Sequence, residues 1–135
     1  MTSPASGAAH GLRQVSVPVD ALDRAIAFYR DVLGLRLIAS FGPIAFFDLG
    51  GVRLFLSPRS GDAVGSVLYL AVDDIASARA ALVERGVTFD DEPHVIFHDE
   101  TGTFGEPGLS EWMTFFRDSE GNQLALSSRE PPAGE

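Results

Sequence analysis

The chain contains no cysteine among its 135 residues. That excludes disulfides, thiolate metal sites and cysteine nucleophiles. It is short of positive charge as well: ten basic residues stand against nineteen acidic ones, for a net charge of −9. Such a field repels phosphate backbones, so no nucleic-acid partner is expected. No apolar run approaches the ~18 residues of a membrane span, so no membrane partner is expected either. Residues 1–11, MTSPASGAAHG, lack the basic start and apolar stretch of a signal peptide. These absences predict a soluble, cytoplasmic protein.

What is present is enough apolar material for a core. Hydrophobic residues make up 45% of the chain and charged residues 21%, which suits a globular protein of one domain. The domain is expected over 12–127. The small, polar ends, 1–11 and 128–135, are expected to be disordered tails.

The chain repeats itself. In RQVSVPVD, Val15, Val17 and Val19 alternate with Gln14, Ser16 and Pro18, the pattern of a half-buried strand. A helix follows, with Asp20 in the N-cap position, Leu22, Ala25, Ile26, Tyr29 and Leu33 on one face, and Gly34 at its end. Strands are expected at Leu35–Ser40, Ile44–Asp48 and Val52–Ser57, the last two joined at Gly50-Gly51. The pattern then restarts. In SVLYLAVDD, Leu68, Leu70 and Val72 alternate with Val67, Tyr69 and Ala71; Asp73 or Asp74 caps a second helix that Gly86 ends. Asp20 and Asp73 lie 53 residues apart, as do Ala25 and Ala78. Strands are expected again at Val87–Asp90, His94–Phe97, Trp112–Arg117 and Asn122–Ser127. The hairpin FFDLGGVRLFLS (46–57) lies over FFRDSEGNQLALS (115–127), so that Phe55 answers to Ala125. Two modules result, 12–58 and 65–127, each strand-helix-strand-strand-strand. Neither is large enough to bury its sheet alone, so they must pair in an α+β fold.

Paired βαβββ modules, AIAFYRDVLGL in the first helix and RDSEGNQLAL near the end together resemble the vicinal oxygen chelate superfamily. That group includes glyoxalase I, extradiol dioxygenases, fosfomycin-resistance enzymes and bleomycin-resistance proteins. The resemblance covers residues 12–127. It implies a cup of two curved four-stranded halves, with metal donors at four strand positions in the metal-dependent members. Carried over, those positions are Gln14, Phe55, Val67 and Ala125. Only Gln14 has a donor atom, and one neutral ligand does not hold a divalent ion against water. No metal, no cofactor and no catalytic residue is therefore expected.

Alternation along the strands places Gln14, Ser16, Arg53, Phe55, Val67, Tyr69 and Ala125 toward the cup, together with Ala71 and Gln123. The repeat and the family pattern add Phe46 and Phe115, and send Trp112 to the helix layer or the rim. An aromatic wall with a few hydrogen-bonding groups is how small-molecule pockets are built. Phe55, Tyr69 and Phe115 suit a flat ligand, Arg53 a carboxylate, phenolate or carbonyl, and Gln14 a hydrogen bond. The same rings are also large enough to fill the cup as plain core.

Elsewhere, HVIFHDE puts His94 and His98 four apart. On a strand they share a face but stand about 13 Å from each other, too far for one ion. The Gly-rich DETGTFGEPGLS (99–110) is either a lid, with Phe104 at its tip, or a disordered loop. No hydrolase triad and no phosphate loop is present. Two functions follow, besides that of a purely structural or regulatory partner module. One is a metal-independent protein sequestering an apolar or aromatic natural product or antibiotic, in the manner of bleomycin-resistance proteins, as a homodimer. The other is a lyase, isomerase or dioxygenase with an atypical or lost metal site.

Overall fold

The computed structural model describes residues 9–132. Most of the two expected tails, 1–8 and 133–135, lies outside them. The second expected tail begins too early, because its first residues continue a strand that runs to Glu130. Ser128 is buried there, paired with Trp112 across the ladder, and so gains the hydrogen bonds a tail would lack.

The first module runs β1 (Gln14–Val19), α1 (Leu22–Ala27), β2 (Arg36–Phe41), β3 (Ile44–Leu49) and β4 (Val52–Pro58). The valines of β1 do what their spacing requires: Val17 and Val19 are buried while Ser16 is exposed. α1 continues into a π-helical stretch, Phe28–Val32, in which Leu33 N–H reaches back five residues to Phe28 O. Gly34, at φ +77°, ends it in a conformation that only glycine adopts cheaply. Gly50 and Gly51 both have positive φ, the requirement of the two-residue turn that matches strand twist. The sheet order is β1-β4-β3-β2, with β1 parallel to β4 and the other pairs antiparallel.

The second module repeats this with β5 (Leu68–Ala71), α2 (Ile75–Glu84), β6 (His94–Asp99), β7 (Leu109–Arg117) and β8 (Gln123–Glu130), in the order β5-β8-β7-β6. The α+β pair of modules is the architecture expected from the repeat. The strand expected at Val87–Asp90 does not form; a single bridge joins Phe89 to Phe116. The chain turns instead at Asp91, whose carboxylate accepts hydrogen bonds from Thr114 Oγ1 and Phe115 N–H. Asp74, not Asp73, caps α2, taking Ser77 N–H on its side chain.

α1 is capped differently from expectation. Its N-cap is Ala21, and no side chain of its own segment serves it. Glu120, from the β7–β8 turn of the other module, accepts the N–H groups of Asp20 and Ala21, each at 2.8 Å. The same turn makes further bonds to module one and to the segment that follows it. Tyr29 Oη donates to Asp118, Asn122 Nδ2 donates to Pro18 O, and Arg59 donates to Glu120 O. One core cluster runs through both modules, from Val17, Phe47 and Leu56 to Leu82, Phe116 and Leu126. Among the described residues no helix is long and apolar enough to cross a membrane.

Candidate functional site

The face of the first sheet turned away from α1 carries an aromatic patch. Cross-strand register sets Gln14 beside Arg53, Ser16 beside Phe55, and Phe55 beside Phe46. The Phe46 and Phe55 rings stack at 5.0 Å and 12°. Phe41, from β2, meets Phe46 edge-on at 6.3 Å. The Arg53 guanidinium lies 5.9 Å from the Phe46 centroid, and its Nε donates to Gln14 Oε1 at 3.1 Å. Its remaining N–H groups have no partner among the described residues. Ser16 exchanges a hydrogen bond with Ser57.

The second sheet carries the matching patch. One cross-strand row runs Tyr69, Ala125, Phe115. Tyr69 meets Phe115 edge to face at 6.2 Å, and the His94 ring stacks on Phe115 at 6.4 Å. Tyr69 is 55% exposed, whereas Ala125 between the two rings is fully buried. Val67 lies exposed just ahead of β5. The predicted residues thus fall into two groups: Gln14, Ser16, Phe46, Arg53 and Phe55 on one sheet, and Val67, Tyr69, Phe115 and Ala125 on the other. No hydrogen bond or ring contact among the described residues joins the groups. Trp112 faces the core, on the helix side, as one of the two expected placements has it.

Chemistry at the four positions that the family resemblance marks does not fit a metal. Phe55, Val67 and Ala125 offer no donor atom. Gln14 Oε1 already accepts from a guanidinium, whose charge opposes a cation at the same oxygen. His94 and His98 are separated further than their spacing suggests. A register shift between Val95 and Phe97 sets His94 opposite Met113 and His98 opposite Ser110, on opposite faces. The shared face expected for the pair is lost because the extra residue inverts the alternation. Among the described residues no three His, Asp or Glu side chains group as a metal site.

The 99–110 segment is pinned at its base. Asp99, nearly fully buried, accepts Thr103 N–H at 2.8 Å, Phe104 N–H at 2.9 Å and Arg129 Nη2 at 3.0 Å. The Phe104 N–H bond draws the Asp99 carboxyl below its usual range; burial pushes the other way, and Thr103 and Arg129 add to the lowering. Phe104 itself stands exposed, edge-on to Phe97 at 5.4 Å.

A further cavity, of about 940 Å³, opens between the modules. Val15, Leu33, Leu35 and Val52 line one side of it, and β5 with Ala78, Ala81 and Leu82 of α2 the other. Of the residues predicted to face the cup, Val67, Tyr69 and Ala71 border it. Alternation along single strands does not reveal it, since it exists only where two modules meet. Phe41 and His94 were missed for a simpler reason: each sits on a strand interrupted by a register shift.

Solved structures of similar fold cover nearly the whole chain. The antibiotic binding protein TnmS3 from a Streptomyces species is 24% identical, with a TM-score of 0.68 over 93% of this chain and 98% of its own. Lactoylglutathione lyase from Agrobacterium tumefaciens is 23% identical, with a TM-score of 0.69 over 90% and 95%. A superfamily member from Sphaerobacter thermophilus is 21% identical, with a TM-score of 0.69 over 89% and 98%. No curated protein sequence matches the chain. The repeated modules and their sheet order agree with a family model that matches residues 11–126, and on that match the chain belongs to the Glyoxalase/Bleomycin resistance protein/Dioxygenase superfamily.

Proposed function

We propose that the protein binds a planar aromatic natural product or antibiotic and sequesters it without a metal ion. The observation that carries this reading is the stacked Phe46–Phe55 pair beside Arg53, whose free N–H groups stand ready for a carboxylate, phenolate or quinone oxygen. Of this group, Phe55 stands at a position where the resemblance would place a metal donor. TnmS3, of the same fold, is described as antibiotic binding.

The ligand site is completed by a second copy of the chain. Within one chain the two aromatic patches do not meet, and Tyr69 and Phe41 are left largely exposed. A two-fold dimer that sets the first sheet's open face over the second sheet's open face of its partner covers both patches at once. Gln14, Ser16, Phe46, Arg53 and Phe55 then form one wall, and Val67, Tyr69, Phe115 and Ala125 the other. A lyase or isomerase reading draws on the fold shared with the Agrobacterium enzyme, but the donor set opposes a metal-dependent version.

A thermal-shift panel of planar aromatics and divalent metals tests the proposal. Stabilisation by a planar aromatic, absent with Ni²⁺, Zn²⁺ or Fe²⁺, is expected. Stabilisation by the metals alone would overturn it.

A further inference from the structure

The cleft between the modules has a cause in the repeat. α1 begins at Leu22 and α2 at Ile75, the same 53-residue offset that relates Ala25 to Ala78. At that offset Phe28 answers to Ala81, Tyr29 to Leu82 and Val32 to Arg85. In module one the Phe28 and Tyr29 rings pack edge to face at 5.4 Å, and Phe28 and Val32 border a smaller opening, of about 470 Å³. In module two, methyl and isobutyl groups stand in their place. Ala78, Ala81, Leu82 and Arg85 recur at the spacing of one helix face, and all four line the cleft. With small side chains in place of those rings, the cleft beside α2 has about twice the volume of the opening beside Phe28.

The walls select the occupant. They are aliphatic, with Tyr69 as the one aromatic ring and Arg85 as the one charged side chain. The chain has no lysine, and six of its arginines sit with carboxylates. Arg85 does not: it donates Nη1 to Val32 O at 2.8 Å and has no acidic partner among the described residues. An apolar cleft of this volume at an inter-module boundary, with one cation at its mouth, matches a ligand that is aliphatic along its body and anionic at one end.

We infer that the inter-module cleft is a second ligand site, which shares Val67 and Tyr69 with one aromatic patch but none of the Phe46–Phe55 stack, and that it takes a free aliphatic monocarboxylate with its carboxylate on Arg85. Decanoate and 1-decanol, titrated into the full-length protein by calorimetry, are the probes. Saturable decanoate binding at one per chain is expected. Arg85→Gln should weaken decanoate about tenfold and leave 1-decanol within a factor of two. Ala81→Phe, which restores the ring of module one, should weaken both by tenfold or more. Should that variant fail to fold by circular dichroism, Ala78→Val serves the same purpose. Phe55→Ala should leave decanoate binding unchanged, which separates this site from the proposed aromatic one. Absence of saturable binding, binding indifferent to the filled cleft, or decanoate acting only by dissociating a dimer would each overturn the inference.

Discussion

Glu120 illustrates how much one side chain does here. It is fully buried and accepts hydrogen bonds from Arg24 at 2.7 and 3.0 Å, from Ser119 at 2.8 Å, and from the Asp20 and Ala21 N–H groups. Burial pushes its carboxyl upward, yet the bonds from Arg24, Ala21, Ser119 and Asp20 win and hold it at about 2. A carboxyl depressed from 4.5 contributes stability that is complete above that value and lost as pH falls toward 2. Unfolding followed by urea should therefore show falling stability between about pH 4.5 and 2, with a shallower fall in Glu120→Gln. Glu120→Ala strips the cap from α1 and the partner from Arg24, and should cost about 2–4 kcal/mol in the same assay. Tyr29→Phe removes the buried bond to Asp118 and should cost about 1–3 kcal/mol. The Tyr29 hydroxyl, raised by burial and by the Asp118 charge, stays protonated throughout this range.

At the scale of elements, the repeat made most of the fold legible. Alternating valines and leucines marked β1 and β5, and glycines with positive φ marked the ends of the helices and the β3–β4 turn. Asp74 is a local cap on α2, so Asp74→Ala should lower stability by about 1 kcal/mol, measured by thermal or urea unfolding. Glu130, which also accepts Ile75 N–H at 3.0 Å, should limit that loss. Local pattern failed where a register shift intervened. β2 shifts between Leu37 and Ala39, and β6 between Val95 and Phe97. Both are outer strands, where such irregularities discourage edge-to-edge pairing with other chains. Alternation assumes one residue per step, so an extra residue moved His94 and Phe41 out of sight of the sequence reading. The α1 cap was illegible for another reason: its donor and acceptor lie about 100 residues apart.

For the whole molecule, the shared core and the β7–β8 turn bind the modules into one cooperative unit. Trp112 fluorescence follows a side chain of module two packed on the shared core, while far-ultraviolet circular dichroism follows the backbone of both modules. Their urea transitions should coincide. Two separated transitions would mean that the modules unfold independently. Ligand binding belongs to this scale too. Phe55→Ala should weaken a planar aromatic ligand by about tenfold or more, since a stacked ring contributes roughly 1–3 kcal/mol, while the half-buried position keeps the loss of stability small.

Composition, periodicity and the offset of 53 residues were enough to establish two βαβββ modules and the faces of their regular strands; the family resemblance pointed to Phe55, Val67 and Ala125, whose side chains carry no donor atom. All of these depend on residues near one another in the chain, or on a repeat that the chain displays directly. The capping of α1 by Glu120, the opposed faces of His94 and His98, the separation of the two aromatic patches and the cleft between the modules depend on contacts across about 100 residues or on the register of neighbouring strands. Side-chain type limits what each residue can do, but its partner is chosen only when the sheets pair and the modules dock.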